Sequence, residues 1–224
     1  VRATDHRIWS PRVKVSTVAA GSGTITGVIQ PGSTPRSRRP TMVLPAPPLT
    51  VADLDEFGLE DPRFDLIDGM CLVRAWPTPL ETRVTKRLVR LLVEVTPAHM
   101  RVHTRGVSLR IEPRSEIVPD IIVAAAGDDD RPRRITDLPL LVVEVAELSN
   151  RRYDRTLKFD VYRDRGVPSC WLVDPDTPAI DAYDLVNGAY VQVGSATGQQ
   201  ELSVTSPVAC TIIPATLIDP PHPE

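Results

Sequence analysis

The sequence lacks long apolar runs, closely spaced cysteines and an excess of charge of either sign. No run reaches eighteen apolar residues, so no membrane-spanning segment is predicted. Near the N-terminus, the apolar stretch at residues 18–20 is too short for a secretory signal. The three cysteines (Cys71, Cys170 and Cys210) are too far apart for a disulfide framework or a zinc site, so we expect reduced thiols in a cytoplasmic protein. The net charge of -3 gives no electrostatic footprint for nucleic acid, which counts mildly against a DNA partner.

The length of 224 residues suits one domain with appendages. Residues 1–41 are rich in Gly, Ser, Thr and Pro without a sustained period, which predicts a disordered N-terminal extension. Met42 precedes the first regular pattern, so the upstream stretch is either a natural extension or a mis-assigned start. We expect the folded domain at 42–213 and a flexible Pro-rich tail at 214–224.

The spacing of apolar residues predicts an α/β protein. Helices are expected at 51–57, 78–95 and 153–165, and the second has an apolar stripe formed by Val84, Leu88, Leu91 and Val95. Two-residue turn signals at 68–69 and 187–188 predict two hairpins, 64–73 and 179–193. The other predicted strands are apolar runs at 100–111, 118–125, 139–146, 170–173 and 207–213.

Two carboxylates stand in segments that should be buried. Strand alternation places Glu144 on the same face as Leu140 and Val142, and Asp120 lies near the start of the preceding apolar run. A buried carboxylate is costly unless it is paired, hydrogen-bonded or bound to a metal. If the two strands are antiparallel neighbours, both acids converge on one point, where a divalent cation would relieve their repulsion. The alternative is an ordinary turn aspartate and a glutamate paired with an arginine.

Lys158 lies on the helix predicted after the Glu144 strand. The expected packing stripe of that helix consists of Tyr153, Leu157 and Val161. Lys158 then lies at the edge of this stripe, within reach of the strand ends. The alternative is an exposed i, i+4 pair between Asp154 and Lys158, worth about 0.2–0.5 kcal/mol. The residues alone leave both interpretations open.

The order of these motifs resembles that of the PD-(D/E)XK nuclease superfamily: a Pro-Asp pair, an acid in a buried strand, then a lysine. The usual lysine stands two residues after the acid, where this chain has Ala146. Lys158 resembles the version displaced onto the following helix, which is familiar in the bacterial Uma-two family of restriction-endonuclease-like proteins. The segments 64–69, 140–145, 152–162, 166–168 and 171–175 are close to that family's pattern in the right order, and the resemblance covers about 49–193.

This resemblance implies a restriction-endonuclease-like core of α-β-β-β-α-β order, with a central mixed sheet flanked by helices and an added N-terminal hairpin. It implies hydrolysis of DNA phosphodiester bonds, with Asp120, Glu144 and Lys158 as catalytic residues. Asp120, Glu144 and the Val145 carbonyl would be the ligands of Mg²⁺, for which Mn²⁺ could substitute. DNA is then the expected partner, and a homodimer is compatible with the sequence.

Two positions depart from the family's pattern. Thr78-Pro79-Leu80-Glu81 stands where Ser-Pro-x-His is frequent, and Met70 stands where an acid commonly follows the Asp-Gly turn. Glu81 is either an extra helix-borne acid or, as we favour, a solvated residue of a first helical turn. These departures keep open a catalytically inactive binding or assembly module. A metal-dependent phosphoesterase acting on a substrate other than nucleic acid is a third alternative.

Overall fold

The computed structural model describes residues 47–56, 64–104, 106–127, 129, 132–145 and 152–218, with side chains from residue 156 onward in the last range. The extension predicted at 1–41 lies outside the described residues. The helices are α1 (Val51–Glu56), α2 (Pro79–Val95), α3 (Arg152–Asp164) and α4 (Pro214–Ile218). The strands are β1 (Phe64–Ile67), β2 (Met70–Val73), β3 (Met100–Thr104), β4 (Ser108–Glu112), β5 (Ser115–Ile117), β6 (Ile121–Ala125), β7 (Arg134–Ile135), β8 (Leu141–Val145), β9 (Ser169–Asp174), β10 (Ala179–Val186), β11 (Ala189–Thr197), β12 (Leu202–Val204) and β13 (Cys210–Ile212).

A six-stranded mixed sheet forms the centre of the fold, in the order β11-β10-β9-β8-β6-β3. β8 and β9 are parallel, and the chain between them runs through α3, because parallel neighbours need a crossover connection. The other neighbouring pairs in this sheet are antiparallel. Reading α2, β3, β6, β8, α3 and β9 in chain order gives the predicted α-β-β-β-α-β core, which confirms the fold class.

A second sheet of five strands, in the order β2-β1-β5-β4-β7, contains the predicted N-terminal hairpin. The prediction of one strand over 100–111 is wrong. The chain passes from β3 in the six-stranded sheet to β4 in the five-stranded sheet, and Gly106 between them has a positive φ of 98°. A left-handed residue of this kind turns the chain out of its sheet, so one apolar run serves two sheets.

Both predicted hairpin turns are confirmed. Asp68 and Gly69 have φ values of 49° and 81°, and Asn187 and Gly188 have 51° and 80°. Two consecutive positive φ values are what a type I′ turn requires, and they match the right-handed twist of paired strands. The first of these turns fixes the register of β1, which carries one of the buried acids described below.

Strand alternation divides the core of the protein between the two faces of the six-stranded sheet. One face of β6 and β8 packs against α2, α4 and the small β12–β13 sheet. The opposite face, with Ile122 and Val142, packs against the five-stranded sheet and against Tyr162 of α3. Even-numbered residues of β6 and β8 therefore point into the space between the two sheets.

Helix α2 begins with a capping box in which Thr78 and Glu81 bond each other's backbone N–H groups. Glu81 is buried, so its interpretation as a solvated residue is wrong: its carboxylate turns back to the Thr78 N–H at 2.7 Å. Of the predicted apolar stripe of α2, Val84 and Leu88 are fully buried, but Val95 is exposed. In the last turns of the helix the buried face continues through Leu92 instead, which is fully buried.

The chain from residue 214, predicted to be a flexible tail, begins with helix α4. Pro214 and Leu217 are buried, and Arg87 of α2 donates hydrogen bonds to the carbonyl oxygens of Leu217 and Ile218. Cationic groups bind the unpaired carbonyls of a helix end favourably. Among the described residues, no helix combines the length and the hydropathy that crossing a membrane would need.

Candidate active site

Asp120 and Glu144 face each other across neighbouring antiparallel strands, as the sequence predicted. Ile121 of β6 pairs with Val143 of β8, and one further step of this register places Asp120 opposite Glu144. Both point into the space between the two sheets, where Asp120 is 3% and Glu144 is 6% exposed. The Val145 N–H donates to Asp120 Oδ2 at 2.7 Å, so the end of β8 holds this carboxylate in place.

Lys158 of α3 reaches the same point. Its Nζ lies 3.3 Å from Glu144 Oε1 and donates to the Val118 carbonyl oxygen at 3.5 Å. The structure therefore brings together the three residues that the sequence singled out. Lys158 reaches Glu144 from the edge of the packing stripe, as expected, but it is also buried, at 4% exposure. The lysine is buried because the five-stranded sheet covers this side of α3. The hairpin of that sheet was predicted, but its docking against α3 was not.

The expected packing stripe of α3 has described side chains at two of its three positions. Leu157 and Val161 are half-buried and pack against the core between the two sheets. The side chains of Tyr153 and Asp154 lie outside the described ones, so the stripe's first member and the alternative Asp154–Lys158 pair stay untested.

Asp65 of β1 is a member of the cluster that sequence reasoning missed. Its Oδ2 lies 3.1 Å from Lys158 Nζ and 3.0 Å from Arg74 Nε, and its Oδ1 accepts the Val118 N–H at 2.8 Å. The signal that could have revealed it is the one that revealed Glu144: a carboxylate inside a short apolar strand, between Phe64 and Leu66.

Tyr162 is the second residue of the cluster that sequence reasoning did not single out. The Tyr162 hydroxyl donates to Glu144 Oε1 at 2.5 Å, and the whole side chain is buried. Tyr162 follows Lys158 by four residues on α3, so both side chains leave the same face of the helix. That spacing was visible in the sequence and could have paired the two residues.

Burial dominates the electrostatics of Glu144. Burial raises the pKa of Glu144 above its usual value of 4.5, and the charge of Asp120 raises it further. Lys158, Arg74 and the Tyr162 hydroxyl act in the opposite direction without cancelling the effect of burial. Asp120 therefore lies close enough for its charge to act on Glu144, as the second ligand of one cation would.

Arg74 and Tyr162, which act on Glu144, both keep their protons. Burial alone lowers the pKa of Arg74, but the charges of Asp65, Glu144 and Asp120 outweigh burial and raise it. Burial raises the pKa of Tyr162 well above its usual range, and the charge of Glu144 adds to that shift. Tyr162 is thus a hydrogen-bond donor at neutral pH.

The carboxylates supply hard oxygen atoms of the kind that Mg²⁺ prefers. Within the part of the chain that the structure describes, no three His, Cys, Asp or Glu side chains are grouped as ligands of one ion. Any metal here would depend on two carboxylates, backbone oxygen, water and substrate. Cys71, Cys170 and Cys210 are free thiols, as expected.

A comparison with solved structures found a similar fold. The crystal structure of a putative nuclease belonging to DUF820, from Anabaena variabilis ATCC 29413, aligns with a TM-score of 0.54 at 18% sequence identity. The alignment covers 71% of this chain and 90% of that protein. At this identity the likeness concerns the fold alone.

Comparisons of sequence gave two results. No curated protein matches the chain. The model of the Uma2 (Uma-two) family, described as a putative restriction endonuclease, matches residues 51–214, which is well over half of the sequence. The match includes Asp65, Asp120, Glu144, Lys158 and Tyr162 within its bounds. This protein therefore belongs to the Uma2 family of restriction-endonuclease-like proteins.

Proposed function

We propose that the protein is a metal-dependent endonuclease that hydrolyses DNA phosphodiester bonds. The observation that supports this most directly is the buried convergence of Asp120, Glu144 and Lys158 from three separate elements. Burying charged groups costs free energy, and an apolar core of the same shape would often be at least as stable. A buried carboxyl of raised pKa, such as that of Glu144, beside a second carboxylate and a lysine is more typical of a functional site. The family description supplies the substrate class.

Asp120 and Glu144 would hold Mg²⁺, with the Val145 carbonyl as a further ligand and with Mn²⁺ able to substitute. The residues fit such an ion because Mg²⁺ commonly takes one or two carboxylates and completes its shell with water and substrate phosphate. Burial and the charge of Asp120 both raise the pKa of Glu144, and a cation between the acids would relieve both effects. When bound, the ion would lower the pKa of water and offset charge on the scissile phosphate.

The chain's own residues would prepare the site for that ion and for the phosphate. The Val145 N–H fixes one oxygen of Asp120, and the Tyr162 hydroxyl fixes one oxygen of Glu144. Lys158 would orient the attacking water or stabilise the charge that builds on the phosphate in the transition state. Its ammonium is effective there because water is largely excluded from the site, so its charge is weakly screened.

A catalytically inactive binding or assembly module is the second candidate, and one observation favours it. An ammonium has three N–H donors. Asp65 Oδ2, Glu144 Oε1 and the Val118 carbonyl oxygen all lie within hydrogen-bonding distance of Lys158. The cluster of three carboxylates with Arg74 and Lys158 is also close to charge balance, as in a structural network.

The test is cleavage of plasmid, single-stranded and branched DNA with Mg²⁺, with Mn²⁺ and with EDTA. Asp120→Asn and Lys158→Ala should each lower the rate by about 10²-fold or more. Asp181→Asn is the matched control, because Asp181 is a carboxylate of β10 that bonds Ser195 at the surface. Its rate should equal that of the wild type.

Three results would redirect the proposal. Cleavage that survives both site substitutions would reject the assigned residues. DNA binding without cleavage in either metal would favour the inactive module. Hydrolysis of a small phosphodiester such as bis-p-nitrophenyl phosphate, with no action on any DNA, would favour a phosphoesterase of another substrate class.

A further inference from the structure

Asp65 links the two sheets at the proposed site. It belongs to β1 of the five-stranded sheet, whereas Asp120 directly precedes β6 and Glu144 lies near the end of β8, both in the six-stranded sheet. Asp65 is 1% exposed, and its Oδ2 is nearer to Lys158 Nζ, at 3.1 Å, than Glu144 Oε1 is, at 3.3 Å. Asp65 is thus the nearest carboxylate to the lysine among the described residues.

The second oxygen of Asp65 acts on the backbone that leads into Asp120. Asp65 Oδ1 accepts the Val118 N–H at 2.8 Å, and the Val118 carbonyl oxygen accepts from Lys158 at 3.5 Å. Val118 precedes Asp120 by two residues. One carboxylate therefore restrains both the proposed catalytic lysine and the segment that carries a proposed metal ligand.

We infer that Asp65 is a positioning residue, which holds Lys158 and the backbone before Asp120 in the arrangement that catalysis uses. This inference rests on the proposed function. A lysine side chain has four rotatable bonds, and the contacts from Lys158 to Glu144, at 3.3 and 3.5 Å, are long for charge-assisted hydrogen bonds. The closer Asp65 contact restricts the ammonium to one place, and small displacements of catalytic groups cost much of their effect.

The competing explanation is that Asp65 merely balances buried charge. It shares its Oδ2 between Lys158 and Arg74, so its loss would destabilise the protein in either case. The two explanations differ in how substitutions combine. Asp65→Asn keeps an oxygen that can accept the Val118 N–H and loses the charge that faces Lys158. If Asp65 positions the lysine, the effect of this substitution on turnover passes through Lys158, so removing Lys158 should abolish it, whereas independent losses would multiply.

The first measurement observes Lys158 directly and needs no activity. Lys14, Lys86 and Lys158 are the lysines of the sequence, so a nitrogen-15 NMR spectrum of lysine ammonium groups is easily assigned with Lys158→Ala. We expect a slowly exchanging Lys158 signal in the wild type. Asp65→Asn, which keeps the side chain's size, should shift or broaden it. An unchanged signal would overturn the inference.

Glu116→Gln is the matched control for this spectrum. Glu116 lies on β5 of the same sheet and pairs with Arg134 at 3.0 Å, away from the cluster. Its substitution removes a partly buried carboxylate from an ion pair but should leave the Lys158 signal in place. If Asp65→Asn fails to fold, Asp65→Glu retains the charge and should still shift the signal, because it moves the carboxylate by one methylene.

The second measurement is DNA cleavage under saturating and limiting substrate. Asp65→Asn should lower kcat by about ten-fold or more, with KM changed less than about three-fold, and Asp65→Glu should recover part of kcat. The double variant Asp65→Asn with Lys158→Ala should be no slower than Lys158→Ala alone. A wild-type kcat in Asp65→Asn, or multiplying losses, would overturn the inference. If the wild type shows the NMR coupling but cleaves no DNA, the proposed function fails while the restraint of Lys158 by Asp65 stands.

Discussion

Replacing Tyr162 with phenylalanine removes one hydroxyl from the interior and leaves the ring in place. That hydroxyl donates to Glu144 Oε1 at 2.5 Å, and both side chains are buried. A hydrogen bond to a charged group contributes about 1.5–3 kcal/mol to stability. Glu144 keeps its contact with Lys158 at 3.3 Å, so we expect a loss in the lower half of that range, about 1.5–2 kcal/mol.

Tyr190→Phe provides the matched comparison, because the Tyr190 hydroxyl donates to a neutral acceptor, the Val167 carbonyl oxygen, at 2.9 Å. A neutral hydrogen bond contributes about 0.5–1.5 kcal/mol. Each kcal/mol corresponds to about 2–4 °C in the melting temperature of a domain of this size. Thermal unfolding followed by circular dichroism should therefore show a lower melting temperature for Tyr162→Phe than for Tyr190→Phe.

The pH dependence of this difference makes the test sharper. The Tyr162 hydroxyl lowers the pKa of Glu144, so its loss must raise that pKa further above 4.5. A carboxyl whose pKa is raised by folding contributes stability at low pH, and this contribution is lost as the pH rises through the folded-state pKa. The penalty of Tyr162→Phe should thus grow between acidic and mildly alkaline pH. Equal melting temperatures for the two variants, or a penalty that shrinks with pH, would refute the reasoning.

Three further substitutions test other parts of the structure by urea unfolding. Gly69→Ala should destabilise the protein more than Gly188→Ala. Both glycines have φ near 80°, a conformation that costs an alanine about 1–2 kcal/mol. Only at Gly69 would the new Cβ also lie 2.6 Å from Pro48 Cβ. Equal losses would show that this contact relaxes freely. Glu144→Gln removes a buried carboxyl whose pKa is raised by folding. The wild type loses stability as this carboxyl ionises, so the free energy of unfolding of the variant, relative to that of the wild type, should increase with pH above 4.5. A difference that does not change with pH would show that burial does not raise the pKa of Glu144. Leu217→Ala should cost about 2–5 kcal/mol if α4 is part of the core, and a loss below that range would mean that α4 packs loosely.

Features set by local chemistry were predictable from the sequence. The turns at Asp68-Gly69 and Asn187-Gly188 depend on residues that accept a positive φ, and the start of α2 depends on the Thr78–Glu81 spacing. The pairing of Asp120 with Glu144 was predictable as well, because it follows from alternation once two buried strands are taken as antiparallel neighbours.

Features set by contacts between distant segments were not predictable in the same way. The division of 100–111 between two sheets depends on where the N-terminal hairpin docks; Gly106 permits the turn between β3 and β4 but does not by itself require it. Asp65 resembled a residue of an ordinary hairpin because its partners, Val118 and Lys158, lie far along the chain. The burial of Lys158 has the same origin, since the five-stranded sheet covers it.

The docking of the two sheets also has a consequence for how the protein folds. Val118 and Asp65 are 53 residues apart in the sequence, and their contact closes only when β1 has reached the end of the six-stranded sheet. Contacts between distant residues form late, since the entropy of closing a long loop must be overcome first. A chain whose N-terminal hairpin has come loose would keep Asp120 opposite Glu144 but would lose the contact between Asp65 and Lys158. The complete cluster therefore forms only after the five-stranded sheet has docked on the six-stranded sheet.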